Sequence, residues 1–583
     1  MCELKNNQSC ESLKSRRPKA RTPRPKAYSV AVLSIAGAWY WVLMTSGSIH
    51  SGSWRWAYAF ALVPLTLHVA ARGVAAIVAT LPIERILDSV PLSALTVEQR
   101  QVLVAMPVIT NDPAVFRRAV GLLARSLETI ESPISAIGLI LLDLPDSKAS
   151  EPTESEAQFL SSIGSELQSL AEQSKPKRSV EIGILFRHRR WSRTQQQYIG
   201  WNRKVGKLIA LFELVASGTS EYVADGDITD RIRGAKYAII IDEDSRLLQN
   251  SAAELVCAMA ASENQPRCFD GSGRAARGYG ILHPQLTHRS VVGETRQSFF
   301  DVVGEVRHCG KGIYNIAYCY SRFRKHFPDE WSVSHDMIEG VLVRTGFVSS
   351  AGLEEGMPGS VSLMLVRSHR WHRGDWQNLV FFIRAWLSGM KWTACNWLMM
   401  GRDIRLALVT PCLAVVLVSI GVTGDTTSAM LIALMSWSHG PPVMLRLLRS
   451  AGIRARVVVV ALTRLLLFGL IRIIGAVSMA IHSASMEIDA MCRGLYRSIT
   501  KRNLLEWKSA MHLETLGSAG EQNLATVYAW ATSAISLIVL LVYQASPWPR
   551  AWLLESMLGL WAIGPPLWFL AMSKPKTSGT DAS

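Results

Sequence analysis

The stretch AKYAIIIDEDSRL, residues 235–247, decides how the rest of the sequence is interpreted. An apolar run ends here in Asp242 and Asp244, and similar apolar runs separated by polar segments precede it. These runs are VLVAMPVIT (102–110), ISAIGLILL (134–142) and VEIGILF (180–186). Strands that alternate with helices are typical of a mostly parallel α/β sheet. We therefore predict an α/β domain around this stretch.

Apolar segments flank the predicted domain on both sides. The stretches at about 28–46 and 56–80 are each long enough to cross a hydrocarbon layer of ~30 Å, and a short loop separates them. The strongly basic N-terminal tail should stay on the cytosolic side. A helical hairpin then returns the chain to the cytosol, so the α/β domain is predicted to be cytosolic.

The sequence is predicted to divide into eight regions, with six membrane crossings among them. The predicted regions are a basic cytosolic tail (1–27), a transmembrane hairpin (28–82), the α/β domain (90–378), an interfacial helix (379–402), two transmembrane helices (403–447), interfacial or cytosolic amphipathic helices (455–515), two further transmembrane helices (524–572) and a cytosolic tail (573–583). Arg464 and Arg472 favour an interfacial or bundle-facing helix, because arginine at mid-membrane costs several kcal/mol.

The composition agrees with a polytopic membrane protein that carries a soluble domain. Hydrophobic residues make up 49% of the 583 residues and charged residues 19%, with a net charge of +16. The basic residues gather beside apolar segments, where they suit an anionic lipid bilayer, and no nucleic-acid-binding motif accompanies them. The nine cysteines include no CxxC pair, so no zinc site is predicted.

Asp242 and Asp244 are the first candidate binding residues. Carboxylates at positions i and i+2 of an extended chain point the same way, so both can face a hard divalent cation on a diphosphate. Asp-x-Asp is common by chance, and its significance depends on its surroundings. A further candidate is Asp143, which follows the apolar run 134–142 and offers a hydrogen-bond acceptor for a nucleotide base or ribose. A strand followed by a simple Asp turn is the alternative.

Two motifs lie further along the chain. In SHDMIEG (334–340), Asp336 and Glu339 share one face if the segment begins a helix, and a carboxylate placed there can take a proton from an attacking hydroxyl. A helix cap with a capping box is the alternative. In RSHRWHRGDWQ (367–377), arginines can neutralise a diphosphate and tryptophan can stack on a sugar ring. Anchoring at a membrane interface is the alternative for that string.

These elements follow one another in an order that resembles the processive family-2 glycosyltransferases. Within that superfamily the chain looks most like the glycosyltransferase region of the cyclic β-1,2-glucan synthases. The resembling strings are LFRHRRWSRTQQQYIGWNRKVGKL (185–208), YAIIIDEDSRL (237–247), RGYGILHP (277–284), GKGIYN (310–315), SHDMIEG (334–340), RSHRWHRGDWQ (367–377) and DAMCRGLYRSITKRNLLEW (489–507).

The resemblance implies a GT-A, Rossmann-like α/β domain inserted between transmembrane helices in the bacterial inner membrane. It also implies an inverting enzyme that polymerises glucose from UDP-glucose onto a growing β-glucan chain, most directly β-1,2-linked. A divalent cation, Mg²⁺ or Mn²⁺, would be held by Asp242 and Asp244. The catalytic group would be Asp336 as base with His335 and Glu339. The nucleotide-sugar site would comprise Asp143, Asp242, Arg367, Arg370, Trp371 and Arg373.

Trp376 and Tyr496 are weaker candidates for contacting the acceptor or starting a chain. Typical cyclic glucan synthases continue into large hydrolase-like and phosphorylase-like domains, whereas this sequence stops at Ser583. We therefore expect a linear glucan, or one passed to a separate cyclising, modifying or export partner. The alternatives are another processive synthase of the osmoregulated-glucan, cellulose or hyaluronan type, and a catalytically inactive membrane scaffold.

Overall fold

A computed structural model describes most of the chain. The described residues are 25–46, 54–78, 87–173, 181–223, 226–269, 274–288, 304–331, 334–356, 361–436, 463, 467, 469–471, 473–506, 519–547 and 551–572. Arg464 and Arg472, on which the prediction for 455–483 depends, lie outside these residues, as do residues 1–24 and the predicted C-terminal tail.

The strands all lie between the first helical hairpin and the later apolar helices. They are β1 (Gln101–Ile109), β2 (Ser135–Asp143), β3 (Ile182–Arg187), β4 (Arg190–Ser192), β5 (Gln197–Ile199), β6 (Tyr222–Val223), β7 (Tyr237–Ile240), β8 (Ser245–Leu247), β9 (Arg267–Phe269), β10 (Ala275–Arg277), β11 (Ile281–His288), β12 (Gly312–Asn315) and β13 (Thr345–Glu355). The four apolar runs of the sequence correspond to β1, β2, β3 and β7.

Helices flank the strands and continue to the C-terminal end of the described chain. They are α1 (Pro25–Ser46), α2 (Trp54–Val78), α3 (Val97–Arg100), α4 (Pro113–Glu128), α5 (Glu154–Gln173), α6 (Arg203–Ser217), α7 (Gly226–Ile232), α8 (Ser251–Ala260), α9 (Ile316–His326), α10 (Asp336–Val343), α11 (Val361–Leu387), α12 (Ala394–Thr423), α13 (Thr426–Ser436), α14 (Ala480–Thr500), α15 (Ala519–Ala545) and α16 (Trp552–Met572).

Nine strands form one mixed sheet in the order β6-β3-β2-β1-β7-β12-β11-β13-β8. Strands β3, β2, β1 and β7 are parallel, as the alternation of strands and helices predicted. Strand β12 then runs antiparallel to both of its neighbours. The α/β fold class is therefore confirmed. The sequence pattern did not indicate that the other half of the sheet is mixed. Since β1, β2, β3 and β7 are parallel, their carboxyl ends meet at one edge, where such sheets bind ligands.

The sheet is buried on both faces. Leu103 and Ala105 of β1 pack with α6, α9 and α10, while Val102 and Val104 pack with α4 and α8 on the opposite face. Successive side chains of a strand point to opposite faces, so a strand covered on both sides must be apolar at nearly every position. This requirement explains the uninterrupted apolar runs in the sequence.

Among the described residues, four helical segments are long and apolar enough to cross a membrane: Lys26–Thr45, Arg55–Ala75, Ala394–Thr423 and Ala525–Ala545. A bent pair, Gly469–Ser478 with Ala480–Thr500, would add a fifth if it is a single span. Residues of α1, α2, α12, α14 and α16 share a buried apolar cluster. The model of six crossings with the predicted region boundaries stays a prediction.

The stretch predicted as one interfacial helix, 379–402, is divided between two helices. Helix α11 continues from Val361 through the RSHRWHRGDWQ string to Leu387, and Gly389 then adopts a positive φ of 92°. Helix α12 begins after Thr393, whose side chain forms a capping box with Asn396. Because glycine accepts this backbone conformation readily and threonine caps the next helix, the chain breaks here instead of continuing as one helix.

Candidate active site

Asp242 and Asp244 follow β7 at the carboxyl edge of the parallel strands. The ammonium of Lys204 lies 2.5 Å from Oδ1 of Asp242, and that of Lys311 lies 3.3 Å from Oδ2. Lys311 is also 3.8 Å from Oδ1 of Asp244 and contacts Glu355. The carboxylates of Asp242 and Asp244 thus converge on one positive charge, which is the arrangement that a cation site requires.

The two lysines fix the charge state of Asp242. Burial alone would raise the pKa of this carboxyl, but the positive charges of Lys204 and Lys311 outweigh it and hold the pKa well below its ordinary value. Burial opposes the charge on Lys204 in the same way, and Asp242 and Asp336 raise its pKa in return. Asp242 is therefore a carboxylate, and Lys204 an ammonium, throughout the physiological pH range.

Asp336, at the start of α10, belongs to the same cluster. Gly310 lies between it and Lys204: a Cβ at Gly310 would come 2.7 Å from Oδ1 of Asp336 and 2.8 Å from the ammonium of Lys204. Lys204 also donates to the carbonyl of Gly310 at 2.8 Å. Only glycine leaves room for this approach, and its φ of +77° is one that glycine adopts without strain. The structure therefore brings the predicted base next to the predicted cation site.

A buried network of hydrogen bonds lies beside Asp336. Nδ1 of His335 lies 2.5 Å from Oε1 of Glu339 and 3.3 Å from Oδ1 of Asp336. The hydroxyl of Tyr314 donates to Oε2 of Glu339 at 2.8 Å and lies 2.6 Å from Nε2 of His308. Glu339 is 0% exposed, so its carboxylate faces this network and not the cleft.

The same network sets the charges of His335 and Glu339. Burial would raise the pKa of Glu339, but the charge of His335 and the hydrogen bonds from His308 and His335 lower it well below its ordinary value. Burial would lower the pKa of His335, but Glu339 and Asp336 outweigh it, so the pKa is raised. These shifts favour an imidazolium between two carboxylates.

Ligand atoms of His335, Asp336 and Glu339 also lie within 4.8 Å of one another, close enough to hold a metal ion. Both oxygens of Glu339 already accept hydrogen bonds, and the side chain is fully buried. The three residues are therefore better described as a hydrogen-bonded unit. Asp242 and Asp244 fit a divalent cation better, because their side chains are about one third exposed at the sheet edge whereas Glu339 is fully buried. In the structure Lys204 and Lys311 contact the two oxygens of Asp242.

Asp143 ends β2 inside an ion-pair network. The guanidinium of Arg187 donates to both of its oxygens at 2.9 and 2.8 Å, and Lys207 lies 3.4 Å away. Arg187 also reaches Glu221 at 2.7 Å. Asp143 is 1% exposed. In the structure the Asp143 carboxylate is paired with Arg187 and Lys207. Its contact with a nucleotide stays a prediction.

The RSHRWHRGDWQ string lies on α11, against the segment that precedes Asp336. The amide of Asn378 donates to the carbonyl of Ser334 at 2.8 Å, and a Cβ at Gly374 would come 2.1 Å from Oγ of Ser334. The guanidinium of Arg367 lies 4.6 Å from the ring centre of Trp371, which is 47% exposed. An accessible indole next to a cation can stack on a sugar ring.

The remaining predicted residues of this string, Arg370, Arg373 and Trp376, lie on α11. Arg373 donates to the carbonyl of Glu506 at 2.7 Å, and Arg370 is half-buried on the same helix. A Cβ at Gly494 would come 2.9 Å from Cβ of Trp376, so the base of the Trp376 side chain packs against α14. Tyr496, on α14, is exposed. The roles assigned to these four side chains stay predictions.

Sequence reasoning gave no role to Lys204, Lys311 or Gly310, although RKVGKL and GKGIYN are among the resembling strings. The available signal was that each lysine lies within a resembling string, and that Lys311 stands between two glycines. A single lysine in a sequence is usually interpreted as a solvated surface residue. Only in the tertiary structure do Lys204 and Lys311 lie next to Asp242.

Three carboxylates and two lysines thus meet at the carboxyl edge of the parallel strands, in a domain that lies along the chain between helices able to cross a membrane. No protein-family model matches the chain.

Cyclic beta-(1,2)-glucan synthase NdvB of Rhizobium meliloti (strain 1021) is 25% identical to this chain over 535 residues. The similarity covers 84% of this chain and confirms the resemblance predicted from the sequence strings. The chain spans 18% of the length of that relative.

Solved structures of S. aureus TarS are also similar. Residues 1–349 of TarS in complex with UDP-GlcNAc share 9% identity, with a TM-score of 0.28, over 69% of this chain and 92% of that one. A longer TarS structure gives 10% identity and a TM-score of 0.27 over 68% of this chain and 55% of that one. At these TM-scores the likeness carries no weight for the assignment.

Proposed function

We propose that this chain is an inverting membrane glycosyltransferase that polymerises glucose from UDP-glucose into a β-glucan, most directly β-1,2-linked. One observation carries the proposal: Asp242, Asp244 and Asp336 meet Lys204 and Lys311 at a single edge of the sheet. The similarity to a glucan synthase supports glucose as the transferred sugar and the β-1,2 linkage.

In the proposed reaction, Asp336 accepts the proton of the acceptor hydroxyl as that oxygen attacks the anomeric carbon. The bond to the diphosphate breaks on the opposite side, which turns an α-linked donor into a β-linked product. Lys204 and Lys311 place two positive charges where the departing diphosphate carries its negative charge. A divalent cation held by Asp242 and Asp244 would supply Lewis-acid stabilisation of the same leaving group.

Helix α11 has a proposed role at the boundary between donor and acceptor. Trp371 offers an accessible aromatic face, and Arg367, Arg370 and Arg373 add positive charge along the same helix. Contact between α11 and the Ser334 carbonyl holds this surface close to Asp336. We propose that the arginines bind the diphosphate and that Trp371 stacks on the sugar.

The proposed location is the bacterial inner membrane, with the α/β domain in the cytosol. UDP-sugars are cytosolic, and the site lies on a domain between helices that are apolar enough to cross a membrane. The growing glucan would then leave the site beside those helices, and a separate cyclising, modifying or export partner would receive it.

Substitution Asp242→Asn is expected to lower sugar transfer about 100-fold, which corresponds to about 2.7 kcal/mol of lost transition-state stabilisation. The amide keeps the shape of the side chain but leaves Lys204 and Lys311 without their shared carboxylate. The measurement is the initial rate over a titration of MgCl₂ and MnCl₂, where the variant should require more cation. Glu243→Gln is the matched control, because Glu243 carries the same charge one residue away. Equal cation requirements in native and Asp242→Asn protein would contradict the assignment.

Substitution Glu339→Gln is expected to lower kcat about 10- to 100-fold with little change in KM for the donor, since a lost buried hydrogen bond to a charged group costs about 1.5–3 kcal/mol. Glu339 does not reach the cleft, so it acts by holding His335 beside Asp336. The check is steady-state kinetics of Glu339→Gln and of Tyr314→Phe, which removes one donor to the same carboxylate. A raised KM with an unchanged kcat would show that Glu339 contacts the donor instead.

The deciding experiment is incubation of the purified, detergent-solubilised protein with radiolabelled UDP-glucose and Mg²⁺ or Mn²⁺, followed by linkage analysis of the polymer. A 2-linked glucan supports the proposal, and its open or closed ends show whether this chain cyclises its product. Transfer from UDP-GlcNAc or another UDP-sugar, with none from UDP-glucose, would indicate a different processive synthase. Absence of transfer from any UDP-sugar would favour an inactive scaffold.

A further inference from the structure

The segment 304–311 joins the candidate active site to helices α11 and α12. Its C-terminal end supplies Gly310 and Lys311, which contact Lys204, Asp242 and Asp244. Its N-terminal end is attached to the domain, since Glu305 pairs with Arg274 at 3.0 Å. The middle of the segment is anchored differently.

Arg307, in the middle of this segment, pairs with carboxylates on two helices. Its Nε donates to Oδ2 of Asp403 on α12 at 2.6 Å, and its Nη2 lies 3.3 Å from Oδ1 of Asp375 on α11. The side chains of Asp375 and Asp403 are 5% and 4% exposed. Helix α12 is one of the segments able to cross a membrane, and α11 carries Trp371.

Breaking this link costs free energy. Two buried carboxylates share one guanidinium, and removing the guanidinium would leave both of them unpaired in a poorly hydrated place. Burial raises the pKa of Asp375 to about 7, and the nearby charge of Asp403 adds to the shift, while Arg307 and His372 oppose it. The planar guanidinium is the group suited to hold two carboxylates at once.

We propose that Arg307 is a positioning residue that couples the donor site to helix α11 and to the apolar helix α12. A shift of α11 or α12 against the domain moves Arg307, and with it Gly310 and Lys311, three and four residues further along the same segment. The diphosphate site is then complete only while both helices hold the segment. This inference rests on the proposed function, since the ligand it concerns is the nucleotide sugar.

Two variants test the coupling. Arg307→Lys keeps the charge, but a single ammonium does not reproduce the two-sided guanidinium contact. The double variant Arg307→Gln with Asp403→Asn removes both charges of the closer pair, so only Asp375 keeps its carboxyl group without the guanidinium. We expect each variant to raise KM for UDP-glucose and Kd for UDP about tenfold, within the usual range for coupling between sites, with a smaller change in kcat.

The matched control is Arg231→Gln, which removes an ion pair with Glu181 in the same domain, and neither residue is among the candidate site residues. Thermal midpoints in detergent show whether a variant is folded, and UDP binding by calorimetry separates positioning from general damage. Native KM and native UDP affinity in both folded variants would overturn the coupling. Failure of the native protein to bind UDP would overturn the proposed function itself, which is a different outcome.

Discussion

Sugar transfer by the Asp336→Asn variant is expected to fall about 10²- to 10⁴-fold, the usual contribution of a positioned general base. Asparagine has the same shape but cannot accept the proton of the acceptor hydroxyl. Lys204 and the Gly310 loop can remain in place, so UDP binding and membrane insertion should be unchanged. The measurement is single-turnover transfer from radiolabelled UDP-glucose, with UDP affinity and the thermal midpoint determined on the same preparation.

Asp329→Asn is a suitable control for that experiment. Asp329 accepts a hydrogen bond from the indole of Trp201 at 2.7 Å, in an exposed part of the same domain. We expect native transfer rates from this control. Normal turnover by Asp336→Asn would remove Asp336 from the reaction and would return the SHDMIEG motif to the helix-cap interpretation.

The Asp143→Asn variant is expected to lose about 3–5 kcal/mol of stability, the usual cost of breaking a buried ion pair by removing one partner. Arg187 would remain buried beside an amide in place of a carboxylate, and Lys207 would lose its nearest negative charge. The check is thermal or urea denaturation of the detergent-solubilised protein. If Asp143 served only to contact a nucleotide, stability would be native and KM for the donor would rise instead.

Glu221→Gln is the matched comparison, because Glu221 binds the same guanidinium but is more exposed. We expect a clearly smaller loss of stability there, since solvent screens partly exposed pairs.

The ion pair of Asp143 also predicts a dependence of stability on pH. Burial would raise the pKa of Asp143, but the charges of Arg187 and Lys207 outweigh it and lower the pKa below 3.8. A lowered carboxyl pKa contributes stability at pH values above the unfolded pKa, and that stability is lost as the pH falls through the folded one. Denaturation of native protein below pH 4 should therefore show a component that is absent from Asp143→Asn.

Much of the fold followed from local patterns. Strands β1, β2, β3 and β7 are buried on both faces, so each of them reads as an apolar run, and the helices of the N-terminal hairpin are long and apolar. The mixed half of the sheet was not predicted. Strand β11 contains a proline and a register shift that interrupt its pattern, and the direction of β12 depends on its pairing with distant strands.

Strand periodicity and short motifs depend on neighbouring residues. The α/β class, the apolar helices on either side and the acidic candidates Asp242, Asp244 and Asp336 could therefore be predicted from the sequence. Which side chains contact one another could be seen only in the tertiary structure. Lys204, Lys311 and Arg307 lie far from their carboxylates along the chain, and Glu339 resembles a cleft residue in its motif until folding buries it. Ion pairs between distant segments leave no periodic pattern, so the charges of the site become interpretable only once the sheet edge and the helices bring them together.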